Sequence, residues 1–250
     1  MPTPSIAWSV SKHGQFPDTN AGNIPCIVEQ LLLQPHGPGA QIHPAFDSMI
    51  RTAIPDKGYD GPVVLDIERT PRGPIWLEVL SRATALRPHA QIGFYGLPRN
   101  QYWPLIAPRS RPSEWHEDVH GLRWLTDLTA AVFGNAYAFY PLGQTRDHTI
   151  EGWRLVVEMS AIATLAVARG RPAYLMMMPW YHPGNPAVPW PTPVLAEQLR
   201  AAIDVALSCG VTPLFWATTS PLGDKPDTVT PAALARARKA IEAMAMPADQ

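Results

Sequence analysis

Pro62-Val63-Val64-Leu65-Asp66-Ile67-Glu68 is the stretch on which the reading of this chain turns. Residues 62–67 form an apolar, β-branched run, as a parallel strand covered on both faces should. Two acids stand at its C-terminal end. An unpaired carboxylate in a core is costly to desolvate or takes up a proton, so a core strand has no evident use for the pair. Side chains alternate along a strand, which puts Asp66 and Glu68 on the same side. Strand C-termini are where α/β barrels and open α/β sheets build their active sites. The plain structural alternative is an acidic strand end that is solvated or caps the next helix.

Outward from this stretch, strands alternate with helices. Further strands are expected at 5–10, at 26–33 with Glu29 inside it, and at 91–97, 132–139, 173–178 and 212–217. Trp76, Leu77, Leu80 and Thr84 fall at helical spacing and the helix stops before Pro88. A short helix is expected at 44–53. Ser113 caps a helix running to about 129, and 149–169 is a long helix closed by Gly170. Thr192-Pro193 opens a helix that ends before Gly210, and Thr230-Pro231 opens the last, to about Met246. This alternation argues for a parallel sheet. Six or seven such units favour a closed barrel, with residues 1–250 forming a single domain.

Composition excludes several functions. The chain has 250 residues and a net charge of -1, which does not suit nucleic-acid binding. No stretch reaches the ~18 apolar residues of a membrane span. The N-terminal Met1-Pro2-Thr3-Pro4-Ser5 has no signal-peptide pattern, so both a cytoplasmic protein and a mature exported form stay open. The 29 prolines, well above the usual ~5%, cluster at segment borders and suggest shaped loops. Cys26 and Cys209 read as buried thiols, with a single bridge between them left open.

Aromatic residues gather where strands end. Tyr95 ends the fourth strand, Tyr137 lies late in the fifth, Trp180 and Tyr181 follow the sixth, and Trp216 ends the seventh. Such rings stack on the apolar faces of sugars, and tyrosine hydroxyls donate to sugar or amide oxygens. Packing alone explains each one singly. Their shared position beside an acid pair favours a binding cleft.

Ile54-Pro55-Asp56-Lys57, then Val63-Val64-Leu65-Asp66-Ile67-Glu68, then Leu86-Arg87-Pro88 and Gly93-Phe94-Tyr95-Gly96 with Pro98, resemble the hyaluronidase family of glycoside hydrolases. The likeness is densest over 54–103 and continues in patches through the strands of Tyr137 and Trp216. It implies an α/β fold, a distorted TIM-like (β/α) barrel with about seven parallel strands. It also implies a glycosidase that cleaves β-linked N-acetylhexosamine glycans by a retaining, substrate-assisted mechanism. On that resemblance Glu68 is the general acid/base and Asp66 holds the substrate's acetamido group. Tyr137 hydrogen-bonds that group, and Tyr95 and Trp216 line the subsite where the bond is cut. Apart from the resemblance, the aromatics Trp180, Tyr181 and Tyr102 are also expected to bind substrate. The family's substrate-contacting acid on the second strand has no clear counterpart, Glu29 being the nearest. The expected partner is an oligo- or polysaccharide, with no cofactor and no metal. A neighbouring Asp66 anion would hold Glu68 protonated as an acid.

Two rivals remain. His116-Glu117-Asp118-Val119-His120 spells the zinc-protease pattern H-E-x-x-H. It sits in the first turns behind a helix cap, where acids are favoured anyway, and 121–124 supplies no third ligand. The other rival is a non-catalytic sugar-binding barrel that keeps the aromatics without the chemistry.

Overall fold

The computed structural model describes residues 7–11, 23–97, 122–144, 148–182, 185, 187–217 and 230–245. Tyr102 and the His116–Glu117–His120 motif lie outside them. Seven strands form one sheet: β1 (Ala7–Ser11), β2 (Asn23–Val28), β5 (Pro62–Asp66), β6 (Gln91–Phe94), β7 (Val132–Asn135), β8 (Ala173–Met177) and β9 (Thr212–Ala217). They run in the order β6-β5-β2-β1-β9-β8-β7, and every pairing is parallel. A two-residue antiparallel pair, β3 (Leu33–Gln34) with β4 (Gln41–Ile42), lies apart. The helices are α1 (Glu29–Leu32), α2 (Phe46–Ala53), α3 (Pro74–Leu86), α4 (Arg123–Thr126), α5 (Ile150–Ala168), α6 (Ala196–Ser208) and α7 (Pro231–Ala245).

Local signals set the helix ends. The Thr149 hydroxyl accepts from Gly152 N at 3.0 Å and opens α5. Arg169 and Gly170, at φ 48° and 85°, close it in left-handed geometry. Thr230 accepts from Ala233 N at 3.2 Å at the start of α7. Pro74 occupies the first turn of α3, where its missing N–H costs nothing.

The period-2 alternation divides the sheet into two faces. Ile27, Val63, Leu65, Ile92 and Phe94 turn toward α2 and α3 in one buried cluster. Val132, Leu175, Met177 and Phe215 turn toward α5 and α6 in another. The alternate residues Ile24, Cys26, Val64, Phe133, Met176 and Leu214 form a third cluster on the opposite face. That cluster joins residues from β5 and β7, which stand near opposite edges in the strand order. The sheet therefore curls, with its inner face as a core of its own.

The hydrogen-bonded ladder does not close. Among the described residues, β6 and the chain just past it meet β7 through isolated bridges from Tyr95 and Leu97 to Phe133 and a bond from Ala130 N to Ile92 O at 2.9 Å. The expected closed ladder is thus replaced by a close approach at one point. Gly93 makes the approach possible: a Cβ there would lie 2.2 Å from the Ala131 carbonyl oxygen.

Other expectations shift. The strand expected over 26–33 stops at Val28, and Glu29 opens a helical turn instead of continuing the strand. Apolarity at Leu32 and Leu33 fits a buried turn as well as a strand, since both are fully buried. The strand expected over 132–139 ends at Asn135, so Tyr137 lies just past it. Of the helix expected over 113–129, the described part is α4; the Thr129 hydroxyl donates to Thr126 O just beyond it. Thr192 donates to Pro189 O and Pro193 bridges to Trp180, which delays the next helix to Ala196. Cys26 is buried, Cys209 half-buried, and the two are not bridged.

Gly93→Ala is expected to destabilise the protein by about 1–3 kcal/mol, the usual cost of forcing an extra methyl into a packed site. Urea unfolding checks it; an unchanged midpoint would show that β6 does not depend on the close approach to Ala131.

Candidate active site

The C-terminal ends of β5, β6 and β7 border a cleft. A cavity of about 450 Å³ opens there, with Glu68, Arg69, Arg72, Trp76, Tyr95 and Asn135 on its wall. Asp66, the last residue of β5, is 6% exposed and follows Val64 two places along, on the inner face. Glu68 lies two residues further, open to solvent.

Three rings stand over the acids. Tyr95 stacks on Tyr137 with centroids 6.0 Å apart and planes 19° from parallel. Trp216 lies 6.3 Å from each of them. Burial pushes the Tyr95 hydroxyl well above the ordinary phenol range, and the Glu68 and Asp66 charges add to it. Tyr137 is raised in the same direction, first by burial and then by Tyr95, with Asp66 and Glu68 contributing. Both phenols therefore stay neutral and keep a proton to donate.

Their hydrogen bonding is incomplete in a directed way. Asn135 Nδ2 donates to the Tyr95 oxygen at 3.1 Å, which leaves the Tyr95 proton for another acceptor. The Tyr95 and Tyr137 hydroxyls sense each other electrostatically. They do not meet in good hydrogen-bond geometry, and the buried Tyr137 hydroxyl has no partner among the described residues. Trp216 Nε1 is buried and unmet in the same sense. An unmet buried donor costs ~1–3 kcal/mol, which a ligand acceptor can recover. The inner end of the sheet thus offers donors above a pair of carboxyl groups.

Glu68 is the perturbed acid. Although its side chain reaches solvent, the protein packed around the carboxyl strips part of its hydration and raises it above the ordinary range, the Glu29 carboxylate raises it further, and Arg69 opposes both. The charge expected to hold Glu68 protonated was that of Asp66; burial and Glu29 are the leading causes. Glu29 itself is 4% exposed and faces the backbone of the loop after β5.

The other expected aromatics go elsewhere. Tyr181 is 3% exposed and its hydroxyl donates to Gln198 Oε1 at 2.8 Å, tying the loop to α6. Trp180 lines a separate apolar cavity of about 550 Å³ with Pro191, Val194 and α7 residues. The structure does not bring these two to the acid cleft. The residue after them, His182, does approach it, stacking on Tyr137 at 5.6 Å, with its basicity lowered by burial. Asn135 and His182 were not singled out in the sequence. Asn135 meets the criterion that found Tyr95, a polar side chain at a strand C-terminus; His182 carries no such local signal. Among the described residues, no three His, Cys, Asp or Glu side chains cluster as metal ligands.

No protein-family model matches this sequence, and no curated protein matches it. Solved structures do match. A monoclinic crystal structure of bee venom hyaluronidase superposes with a TM-score of 0.62 at 15% identity, covering 80% of this chain and 76% of that one. Bee venom hyaluronidase in complex with a hyaluronic acid tetramer superposes with a TM-score of 0.62 at 14% identity, covering 88% and 84%. At this identity the likeness is one of fold.

The raised Glu68 carboxyl has a consequence for stability. A group whose folded pKa lies above its unfolded value contributes stability below the unfolded pKa and loses it as pH rises through the folded one. Glu68→Gln removes that pH-dependent loss. Its melting temperature should match wild type at acidic pH, below the ordinary carboxylate range, and exceed it at neutral pH. A gap that stays constant from acid to neutral, or that opens toward acid, would contradict the raised carboxyl.

Proposed function

We propose that this chain is a single-domain glycoside hydrolase that cleaves β-linked N-acetylhexosamine glycans with retention of configuration, using the substrate's own acetamido group as nucleophile. The observation that carries the reading is the meeting of Asp66, Glu68, Tyr95, Tyr137 and Trp216 at the ends of four parallel strands. The fold shared with bee venom hyaluronidase, one structure of which holds a hyaluronic acid tetramer, supports a glycan as the substrate. The same reading takes the curled sheet as a distorted TIM-like barrel, and the inner cluster shared by β5 and β7 supports that geometry.

In this mechanism Glu68 begins protonated, as its raised carboxyl favours. The acetamido oxygen attacks the anomeric carbon while the bond to the leaving oxygen breaks, and Glu68 gives its proton to that oxygen. Asp66 accepts a hydrogen bond from the acetamido nitrogen and offsets the positive charge of the oxazolinium that forms. Tyr137, neutral and unmet, donates to the acetamido group and holds it in line. Glu68, now a carboxylate, takes a proton from the incoming water as that water opens the oxazolinium ring. Substrate assistance is one of the recognised exceptions to the two-carboxylate scheme. Tyr95 and Trp216 would wall the subsite.

Glu68→Gln is expected to lower kcat by about 10²–10⁴-fold, the usual contribution of general acid–base catalysis, without unfolding the protein. The measurement is turnover on hyaluronan, chondroitin and chitin oligosaccharides with the product anomer read by NMR. Absence of turnover on any glycan that nonetheless binds would favour the non-catalytic sugar-binding reading.

Replacing the N-acetyl group by a free amine should abolish cleavage, because the nucleophile is then gone. Equal rates on acetylated and deacetylated chitin oligomers would exclude substrate assistance. Asp66→Asn should also be severe, since it removes the charge facing the oxazolinium.

A further inference from the structure

The ladder between β2 and β5 ends at the pair Val28–Asp66. Beyond it the two chains part: β2 turns into α1 at Glu29, while the β5 chain runs on through Ile67 to Glu68. The amide of 68, on the side of the chain that faces β2, thereby loses the strand that would have accepted from it, and the amide of 69 has no ladder partner here either. Such groups must find another acceptor. Glu29 supplies it. Its Oε2 accepts from Glu68 N at 3.1 Å and from Arg69 N at 2.8 Å. Its Oε1 accepts from the Thr70 hydroxyl.

The network extends outward from there. Thr70, 5% exposed, accepts in turn from Gly37 N at 3.1 Å, and its carbonyl accepts from Trp76 Nε1 at 3.3 Å. Trp76 is itself buried against Phe94 at 4.8 Å. Three donors converge on one side chain. A carboxylate accepts all three and brings a charge; a glutamine could keep its one carbonyl oxygen on the two amides only by turning its NH2 on the Thr70 hydroxyl, which would then have to accept instead of donate, and it would bring no charge.

We propose, resting on the catalytic reading of Glu68, that Glu29 is the positioning residue of this site: where β2 has left, its carboxylate takes up the amides of 68 and 69 and the Thr70 hydroxyl, fixes the backbone that carries Glu68, and places a negative charge beside that acid. Glu29 bonds the loop and not the cleft, which distinguishes it from a substrate-contacting acid. The groups that face Glu68 are Glu29 at the start of α1, Asp66 on β5, Arg69 and Arg72 on its own loop, Tyr95 at the end of β6 and Tyr137 beyond β7. Of the two nearby charges that most affect its proton, Glu29 favours retention and Arg69 favours release.

The test uses the full chain and two readouts that need no substrate. The first is the titration of the Glu68 carboxyl, followed by carbon NMR in wild type and Glu29→Gln. The second is hydrogen exchange at the Glu68 and Arg69 amides. In Glu29→Gln the Glu68 midpoint should fall toward the ordinary carboxylate range; in Glu29→Ala, which removes the acceptor as well as the charge, the two amides should exchange at least tenfold faster. On an active glycan substrate the alkaline limb of kcat/KM should move down with the titration. A folded Glu29→Gln protein with an unmoved Glu68 midpoint overturns the proposal, even if it hydrolyses glycans. A lowered midpoint with fast amides supports it, even if no glycan is cleaved and the catalytic reading fails. Should Glu29→Gln not fold, Thr70→Val removes one donor and leaves the charge. Its Glu68 and Arg69 amides should exchange at least tenfold faster, and Thr70→Ser should restore them. Unchanged exchange in Thr70→Val would also overturn it.

Discussion

The constraint on which this site depends is the end of a ladder. Parallel strands satisfy their backbone groups through their neighbours, and when one neighbour leaves, the other must be satisfied by something else. The ladder ends at Val28–Asp66, two residues before Glu68, and β2 leaves at Glu29. The side chain of Glu29 fills the gap and carries its charge into the place where a backbone carbonyl would have been. A structural need and an electrostatic effect on the neighbouring acid are therefore met by one residue. Keeping that carboxylate buried requires all three of its donors, since a half-satisfied buried charge is worse than none.

Alternation along the strands does the rest of the sorting. On β5, Val63 and Leu65 pack against the helices while Val64 turns inward, and Asp66 follows Val64. On β9, Phe215 faces the helices and Leu214 and Trp216 face inward. The inner face is therefore apolar through most of its depth and becomes polar only at the C-terminal rim. That gradient is what raises the two tyrosines: their rings belong to the inner core, so burial raises their hydroxyls first, and the nearby Asp66 and Glu68 charges add to it. Phenols in this setting remain donors across the working pH range, which suits them to hold an amide or sugar oxygen and not to take a proton from it.

The closing edge shows how little contact a curled sheet needs when a glycine permits it. Two isolated bridges to Phe133, a hydrogen bond and the absence of a single Cβ at Gly93 bring β6 beside the start of β7. This contact places Tyr95 against Phe133 and, through Asn135, fixes the hydrogen bond that orients the Tyr95 hydroxyl. The geometry of the cleft is thus tied to the geometry of the seam.

Sequence by itself determined the seven parallel strands, their alternation with helices, the helix closed by Gly170 and the one opened at Thr230, and the acid pair with three aromatics at or near strand ends. These are legible because periodicity and capping act over a few residues. Tertiary structure decided the rest. Glu29 reads locally as one more residue of an apolar strand, yet its partners lie 39, 40 and 41 positions away. Tyr181 reads as a cleft aromatic, yet Gln198, 17 positions on, takes its hydroxyl into the core. Asn135 acquires its role only from Tyr95, 40 positions earlier. Which strands meet at the seam, which aromatic faces the acids and which carboxylate holds the loop are settled by contacts between segments distant in the chain, and no local pattern encodes a partner that folding alone brings near.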